Sequence, residues 1–185
     1  LLLAHNDARF EVVLVDDAST DETARIEEWV DGLVVVRNEE PKRFIGACNA
    51  GVAAGRGRFV ALLNNDTEPT VGWLDALIAA LGRFPRAGLA GAKLVFPDGR
   101  LQEAGGMVWG NGDPTNYGWG ENPWEPRFSY ARRVDYVSGA ALLTTRAVWD
   151  EVGGLSEYLE PMYFEDTDFA FKVRMTPAEA RDVER

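Results

Sequence analysis

Four short apolar runs constrain the fold of this 185-residue chain more than any other feature. The segments between the runs carry apolar residues at the three- and four-residue spacing of an amphipathic helix. The four runs span residues 11–15, 33–36, 59–63 and 89–96. Strands that alternate with helices form a mostly parallel sheet with helices on both faces. The sequence therefore predicts a three-layer α/β domain.

Three helices are predicted between these strands. The first is expected to begin at Ser19, because Ser19 and Glu22 have the spacing of a capping box, and to end near Gly32. The second is the alanine-rich stretch Ala47–Ala54. The third covers residues 73–81, where apolar residues recur at helical spacing.

The alternation of strands and helices stops after residue 100. Residues 105–122 contain six glycines, with Trp109, Tyr117 and Trp119 among them. This composition predicts a mobile binding loop without regular structure. Regular structure is predicted to resume in a strand region and two helices: residues 134–145, 146–152 and 164–174.

The amino-terminal residues Leu1–Phe10 resemble the end of a helix. A doubly wound domain normally opens with a strand, so the first strand of the sheet is predicted to be missing from this chain. It would lie between strands 11–15 and 59–63, and without it both strands would carry unpaired backbone groups. We therefore expect the natural protein to be longer at its amino terminus, or another segment to fill that position.

Charge and composition narrow the classes of partner. Lys and Arg number 19 and Asp and Glu number 30, giving a net charge of −11. So acidic a chain is a poor match for nucleic acid or anionic lipid, and a small anionic ligand would need a cation. The single cysteine, Cys48, excludes an intramolecular disulfide framework and a cysteine-rich zinc site. The single histidine, His5, leaves little room for His-dependent catalysis or a His-based metal site. A reducing, cytoplasmic location is expected.

Acidic and amide side chains follow two of the predicted strands. Asp16 and Asp17 end the first strand, and Asn65 and Asp66 follow strand 59–63. In open α/β sheets, ligands bind at the carboxyl ends of the strands, so both groups are predicted to face one crevice. Carboxylates can bind a ribose hydroxyl or a base N–H directly, and a diphosphate through Mg²⁺ or Mn²⁺. The alternative is that these residues only cap helices and form turns.

A third acidic group, Glu165-Asp166-Thr167-Asp168, follows the aromatic pair Tyr163-Phe164. These aromatic neighbours predict a partly buried setting, which would raise a carboxyl pKa and suit it to act as a base. The alternative is a solvated run of acids at a helix amino terminus. The segment Gly46–Gly51 loosely resembles a phosphate-binding loop, whose backbone amides would face a ligand, and Cys48 within it is predicted to serve packing.

Taken together and in order, these segments resemble the family 2 glycosyltransferases of the GT-A fold, and most closely their rhamnosyltransferase-like branch. The resemblance covers about residues 11–174. Its five motifs are Val13–Asp21, Gly46–Gly51, Leu62–Pro69, Asp135–Ala140 and Met162–Asp168.

The resemblance implies inverting transfer of a sugar from a UDP- or dTDP-sugar to a hydroxyl of a glycan or lipid-linked glycan, with Mg²⁺ or Mn²⁺ as cofactor. Residues 1–97 would bind the nucleotide sugar, and residues 98–185 would form the acceptor-binding half of the same domain. Asp166 matches the catalytic base, with Glu165 beside it, and Asp66 matches a metal ligand. The donor would contact four further residues: Asp16, Asp17, Asn49 and Asn65.

Two other functions remain open at this point. A receiver domain of a signalling protein would use Asp16-Asp17 as its acidic pair, Asp66 as phosphoacceptor and Lys93 as its late lysine. A catalytically inactive fragment that binds nucleotide sugar would be explained by the missing strand. For the glycosyltransferase, we expect no nucleic-acid partner and peripheral association with the inner face of the membrane through regions outside this chain.

Overall fold

The computed structural model describes residues 6–161 and 163–176. Within them lie four α-helices: α1 (Arg43–Ala54), α2 (Trp73–Arg83), α3 (Arg146–Val152) and α4 (Glu165–Met175). The five strands of the main sheets are β1 (Val12–Asp16), β2 (Leu33–Arg37), β3 (Phe59–Leu63), β4 (Leu89–Gly91) and β9 (Ala141–Thr145). The four strands of two small hairpins are β5 (Leu94–Val95), β6 (Leu101–Glu103), β7 (Gly106–Val108) and β8 (Pro114–Asn116).

The main strands form two sheets. β1 and β2 pair in parallel, with Val12 opposite Leu33. β9 lies between β3 and β4 and runs antiparallel to both. All five residues of β9 are buried, whereas β1 is only partly buried over its first four residues.

Helices cover both faces of the sheets. On one face, α1, α3 and α4 pack on β3 and β9 around Leu142 and Phe169, both fully buried. On the other face, α2 packs its buried leucines against Leu143. Because Leu142 and Leu143 are successive residues of β9, they point to opposite faces and so anchor one core each. The predicted three-layer α/β arrangement is confirmed.

The two sheets are separated by a gap, in the sense that no strand among the described residues pairs with both β1 and β3. In the part of the chain that the structure describes, β1 and β3 belong to different sheets and do not pair with each other. Ala61, in the middle of β3, is exposed, as expected for a strand with an open edge. Helix α1 lies across β1, and Gly51 permits the close approach, since a Cβ there would stand 2.8 Å from Val15 Cγ2. This gap is where the sequence predicts the missing strand.

The first predicted helix is wrong in both type and start. Residues Glu22–Glu28 form a 3₁₀ helix with no buried residue, and its N-cap is Asp21, whose side chain accepts a hydrogen bond from the Thr23 amide. Ser19 cannot open the helix as expected, because its own amide donates to the Asp16 carboxylate at 2.9 Å.

Other boundaries differ from the prediction. Residues 6–10 are not helical, and Leu1–His5 lie outside the described residues. Helix α1 begins at Arg43, four residues before the predicted start, and the strand predicted at 89–96 is divided into β4 and β5.

The glycine-rich segment is not an irregular loop. It contains the β7–β8 hairpin, closed by a hydrogen bond from the Trp109 amide to the Asp113 carbonyl. The Tyr117 ring packs edge-on against Phe128, and Trp119 packs against Phe96. The segment is therefore held by its hairpin and by aromatic contacts with Phe96 and Phe128, which lie on either side of it in the sequence.

Candidate active site

Asp17, at the end of β1, organises the approach to α1. Its carboxylate accepts hydrogen bonds from Asn38 Nδ2 at 2.7 Å and from the amides of Lys42 and Arg43 at 2.8 and 2.7 Å. Burial acts to raise the pKa of Asp17, but these hydrogen bonds outweigh it and lower the pKa. Asp17 is therefore a half-buried, ionised group at the rim of the predicted crevice.

Asp16 lies deeper and serves the same turn. It is 4% exposed, and its carboxylate accepts from the Ser19 amide at 2.9 Å and lies 3.7 Å from Arg37 Nε. The backbone carbonyl of Asp16 also accepts from the Asn38 amide. These contacts make Asp16 an anchor for the loop that carries Asp17.

The end of β3 presents two free polar side chains. Thr67 closes a tight turn by donating its amide and its hydroxyl to the Asn64 carbonyl, at 3.3 and 2.6 Å. Asn65 and Asp66 at the tip are exposed, and neither makes a hydrogen bond or ion pair within the described residues. Both are therefore available to a ligand.

A divalent cation fits this turn only together with a substrate. Among residues 6–161 and 163–176, no three His, Cys, Asp or Glu side chains converge on one point. Asp66 and Asn65 offer one carboxylate and one amide oxygen. Mg²⁺ is commonly held by one or two carboxylates plus substrate phosphates, so this donor set suits a cation that arrives with a diphosphate.

Asp166, in the first turn of α4, faces the connection that leads into β9. Its Oδ2 accepts from the Gly139 amide at 3.3 Å, and its Oδ1 accepts from the Thr167 amide at 2.7 Å. Burial raises the pKa of Asp166, although the hydrogen bonds from Thr167 and Gly139 act in the opposite direction. A carboxylate with a raised pKa is a better proton acceptor than a solvated one.

Asp168, two residues further on, is used differently. Its carboxylate accepts from Ser156 Oγ at 2.6 Å and Tyr158 Oη at 2.8 Å, and Lys172 Nζ lies 3.5 Å away. Burial acts to raise its pKa, but the hydrogen bonds from Ser156 and Tyr158 and the charge of Lys172 lower it. Asp168 therefore anchors the segment before α4.

Glu165, next to Asp166, has a carboxyl oxygen that lacks a hydrogen-bond partner within the described residues. Its Oε2 is buried and makes no hydrogen bond within the described residues, and burial raises its pKa. Burial and then the charge of Glu165 also raise the pKa of the Cys48 thiol to about 12. A thiol with that pKa is not a nucleophile at neutral pH, as expected for a cysteine that serves packing.

The aromatic pair before α4 does not bury these acids. Tyr163 is 72% exposed and Phe164 is 51% exposed, so the expected partly buried setting of Glu165 and Asp166 is present but does not come from a buried aromatic pair. Both residues have positive φ, a backbone conformation that residues other than glycine adopt only rarely. The Asp166 carboxylate instead lies against Gly139, where a Cβ would stand 2.9 Å from the Phe44 ring.

The segment Gly46–Gly51 is not a phosphate-binding loop. It lies inside α1, where most backbone amides are already bonded within the helix. The Asn49 amide is also committed, because it donates to the Leu155 carbonyl at 2.9 Å and accepts from the Leu155 amide at 3.0 Å. Asn49 therefore links α1 to the segment after α3, and it is not part of the donor site proposed below.

A short turn before β9, Ser138–Ala140, joins the two acidic regions. The Ala140 carbonyl accepts from the Asn64 amide at 2.9 Å, and the Gly139 amide donates to Asp166. The Ser138 amide donates to Glu103 Oε1 at 2.9 Å. Sequence reasoning missed Glu103, although its position two residues after buried Leu101, on the same face of β6, is a signal that could have found it.

Lys93, the lysine that a receiver domain would use, makes no hydrogen bond or ion pair with Asp66 within the described residues. Its Nζ donates to the Pro123 carbonyl at 2.8 Å and stands 5.4 Å from the centre of the Trp124 ring.

No helix among the described residues has the length and apolar character needed to cross a membrane.

Curated relatives share parts of their length with this chain. It is 37% identical over 178 residues to the protein y4gI of Sinorhizobium fredii, covering 89% of this chain and 19% of that protein. It is 33% identical over 157 residues to the O-antigen biosynthesis protein RfbC of Myxococcus xanthus, covering 80% and 12%. It is also 33% identical over 122 residues to the N-acetylglucosaminyl-diphospho-decaprenol L-rhamnosyltransferase of Mycobacterium tuberculosis, covering 60% and 39%. The chain thus spans less than half the length of each.

Solved glycosyltransferase structures share the fold. GalNAc-T7, solved with UDP, GalNAc and Mn²⁺, superposes with a TM-score of 0.67 at 21% identity, over 88% of this chain and 34% of that one. A mannosyltransferase from Pyrobaculum calidifontis, solved with GDP-Man and Mn²⁺, gives 0.63 at 19% identity, over 92% and 45%. These matches confirm the GT-A fold and exclude the receiver domain. The model of glycosyl transferase family 2 matches residues 2–138, and the chain belongs to that family.

Proposed function

We propose that this chain is the donor-binding and catalytic domain of an inverting glycosyltransferase that moves a sugar from a UDP- or dTDP-sugar to a hydroxyl of a glycan or lipid-linked glycan. One observation carries the proposal. The Ser138–Ala140 turn bonds both to Asn64, which precedes the free Asn65-Asp66 tip, and to Asp166 at the start of α4. A donor bound at the Asn65-Asp66 tip and the base Asp166 would therefore be joined through this three-residue turn.

Residues 1–97 would bind the donor. Asp17, fixed by three hydrogen bonds, would accept from the base of the nucleotide, with Asp16 holding its loop. Asp66 would bind the cation and Asn65 the diphosphate side of the donor. Mg²⁺ or Mn²⁺, when bound, supplies the positive charge that offsets a diphosphate in a chain of net charge −11.

Residues 98–185 would bind the acceptor and activate it. Asp166 takes the proton of the acceptor hydroxyl as that oxygen bonds to the anomeric carbon. The bond from the anomeric carbon to the diphosphate oxygen breaks on the opposite face, and the nucleoside diphosphate leaves with the electron pair. Glu165, adjacent to Asp166 in the first turn of α4, would help to orient the acceptor.

The proposal extends to partner and place. The name of the Mycobacterium tuberculosis relative specifies a diphospho-decaprenol acceptor, which supports a lipid-linked glycan as the acceptor class here. We place the reaction in the cytoplasm, at the inner face of a bacterial membrane, in the assembly of cell-envelope polysaccharide. The acidic charge disfavours any nucleic-acid partner.

Ligand-induced stabilisation tests the donor site directly, because a ligand that binds only the folded state raises Tm. UDP, dTDP and their sugars are added with Mn²⁺ or with chelator, and we expect a larger rise in Tm with Mn²⁺. Asp66→Ala should abolish the metal-dependent part of that rise. The matched control is Asp31→Ala. Asp31 precedes the amino-terminal end of β2, away from the carboxyl ends of the strands, so this variant should behave as wild type.

Transfer to a glycan acceptor is then assayed in the full-length natural protein. Binding with no transfer would favour the inactive nucleotide-sugar-binding fragment. An equal rise in Tm with and without chelator would contradict the role of Asp66.

A further inference from the structure

A buried carboxyl group that the proposed function does not use contacts the Ser138–Ala140 turn. Glu103, the last residue of β6, is 2% exposed, and its Oε1 accepts from the Ser138 amide at 2.9 Å. The next amide along the chain, that of Gly139, donates to Asp166. Glu103 and Asp166 therefore hold successive peptide groups of one turn.

Two titratable groups, Asp166 and Tyr136, interact electrostatically with Glu103. Burial raises the pKa of Glu103 to about 7, the hydrogen bond from Ser138 acts to lower it, and the charge of Asp166 on α4 raises it further. Tyr136, on the strand-like segment before the turn, responds to the same charges: burial, then Glu103 and Asp166, raise its pKa to about 12. Electrostatic coupling is reciprocal, so ionised Glu103 also increases the proton affinity of Asp166.

Holding the turn does not by itself require a carboxyl group. A neutral amide oxygen would accept the Ser138 N–H equally well, without the cost of burying an ionisable group. The part of Glu103 that an amide would not replace is its charge, and that charge acts on Asp166.

We propose that Glu103 is a positioning residue for sugar transfer, which fixes the Ser138–Ala140 turn and through it the orientation and basicity of Asp166. The inference rests on the proposed function, since it assumes that Asp166 is the base. It predicts that changes at Glu103 alter kcat and leave donor affinity intact, because Glu103 touches neither the Asn65-Asp66 tip nor Asp17.

The experiment compares Glu103→Ala with Glu103→Gln in the full-length protein. Glu103→Ala removes the acceptor, and we expect kcat to fall on the order of 10–100-fold with unchanged donor Kd, as for a small misplacement of a catalytic group. Glu103→Gln keeps the acceptor and should restore kcat to within about threefold of wild type below pH 6. The matched control is Gln102→Ala, the adjacent residue on the opposite face of β6, which should not change kcat.

Two further readouts separate positioning from a structural role. The wild-type kcat/KM should rise through about pH 7 as Glu103 ionises, and Glu103→Gln should lack that rise. In an Asp166→Asn background, Glu103→Ala should cause little further loss, because residues that act through one another are not additive.

These outcomes distinguish the inference from the proposed function. Wild-type kcat in Glu103→Ala, or a full additive loss in the Asp166→Asn background, overturns the role of Glu103 while the base assignment stands. Full activity of Asp166→Asn alone overturns the proposed base. Where Glu103→Ala does not fold, a pH profile of Glu103→Gln identical to wild type overturns the inference.

Discussion

Replacing Asp166 and Asp168 separately by asparagine distinguishes a base from an anchor. Both acids lie in the first turn of α4, two residues apart, and both changes are nearly isosteric. Asp166 accepts from two backbone amides and has a raised pKa, whereas Asp168 accepts from two hydroxyl groups beside Lys172 and has a lowered pKa. The two variants should therefore fail in opposite ways.

Asp166→Asn should lower kcat on the order of 10²–10⁴-fold, or about 3–5 kcal/mol in the activation barrier, the usual contribution of a general base. Donor affinity should not change. Tm should stay level or rise, because the folded state holds the Asp166 carboxylate at a raised pKa, so its ionisation above that pKa weakens folding. The single amide oxygen of asparagine can keep the bond from Thr167, whereas its NH₂ group replaces the oxygen that accepts the longer bond from Gly139, and this loss offsets part of the gain.

Asp168→Asn should keep kcat and lose stability. It converts charge-assisted hydrogen bonds from Ser156 and Tyr158 into neutral ones and removes the ion pair with Lys172, a loss of about 1–2 kcal/mol at this partly exposed site. For a domain of this size that lowers Tm by about 2–6 °C.

Steady-state kinetics with saturating donor, paired with thermal unfolding, measures both effects on the same samples. Wild-type turnover in Asp166→Asn would refute the reasoning and move the role of base to Glu165, whose Oε2 is unpartnered. A large loss of kcat in Asp168→Asn with unchanged Tm would refute the assignment of Asp168 as an anchor.

Three further predictions concern the rest of the domain. Asp17→Ala should weaken nucleotide binding to a similar extent with Mn²⁺ and with chelator, because it removes the acceptor of three hydrogen bonds that order the start of α1. Calorimetry measures this affinity, and a loss seen only with Mn²⁺ would contradict the prediction. Gly82→Ala, in the last turn of α2 with no atom within 4 Å of the added Cβ, should raise the free energy of unfolding by about 0.5–1 kcal/mol in urea titration. Native-state hydrogen exchange should be slowest in β9, which is buried throughout and paired on both sides, and faster in β1; equal protection of the two strands would count against the gap beside β1.

Local signals in the sequence predicted some elements well. Helix α3 was placed at its observed bounds, because Thr145 caps it by accepting from the Val148 amide and Gly153 ends it with positive φ. The first helix differs from the prediction for an equally local reason, since the Ser19 amide donates to the Asp16 carboxylate rather than to Glu22, the partner that a capping box requires.

Long-range contacts explain what the sequence could not reveal. Ser138 and Glu103 are 35 residues apart, and Gly139 and Asp166 are 27 apart, so no periodicity links them. The sequence also does not predict that β9 lies between β3 and β4, because a run of apolar residues predicts a strand but not which strands pair with it. The expected burial of Asp166 was sound, yet its source is the turn before β9 rather than the adjacent aromatic residues.

The position of β9 also bears on how the two proposed halves depend on each other. Residues 98–185 contribute β9, the central strand that joins β3 and β4 of residues 1–97. Its successive residues Leu142 and Leu143 are fully buried in opposite cores, so removing β9 would open both and leave β3 and β4 without partners. The Ser138–Ala140 turn enters this strand directly, and it bonds to Asn64 on one side and Asp166 on the other. Because the turn is continuous with the most buried strand, the distance between the proposed donor tip and the proposed base is set by the core of the domain rather than by a surface loop.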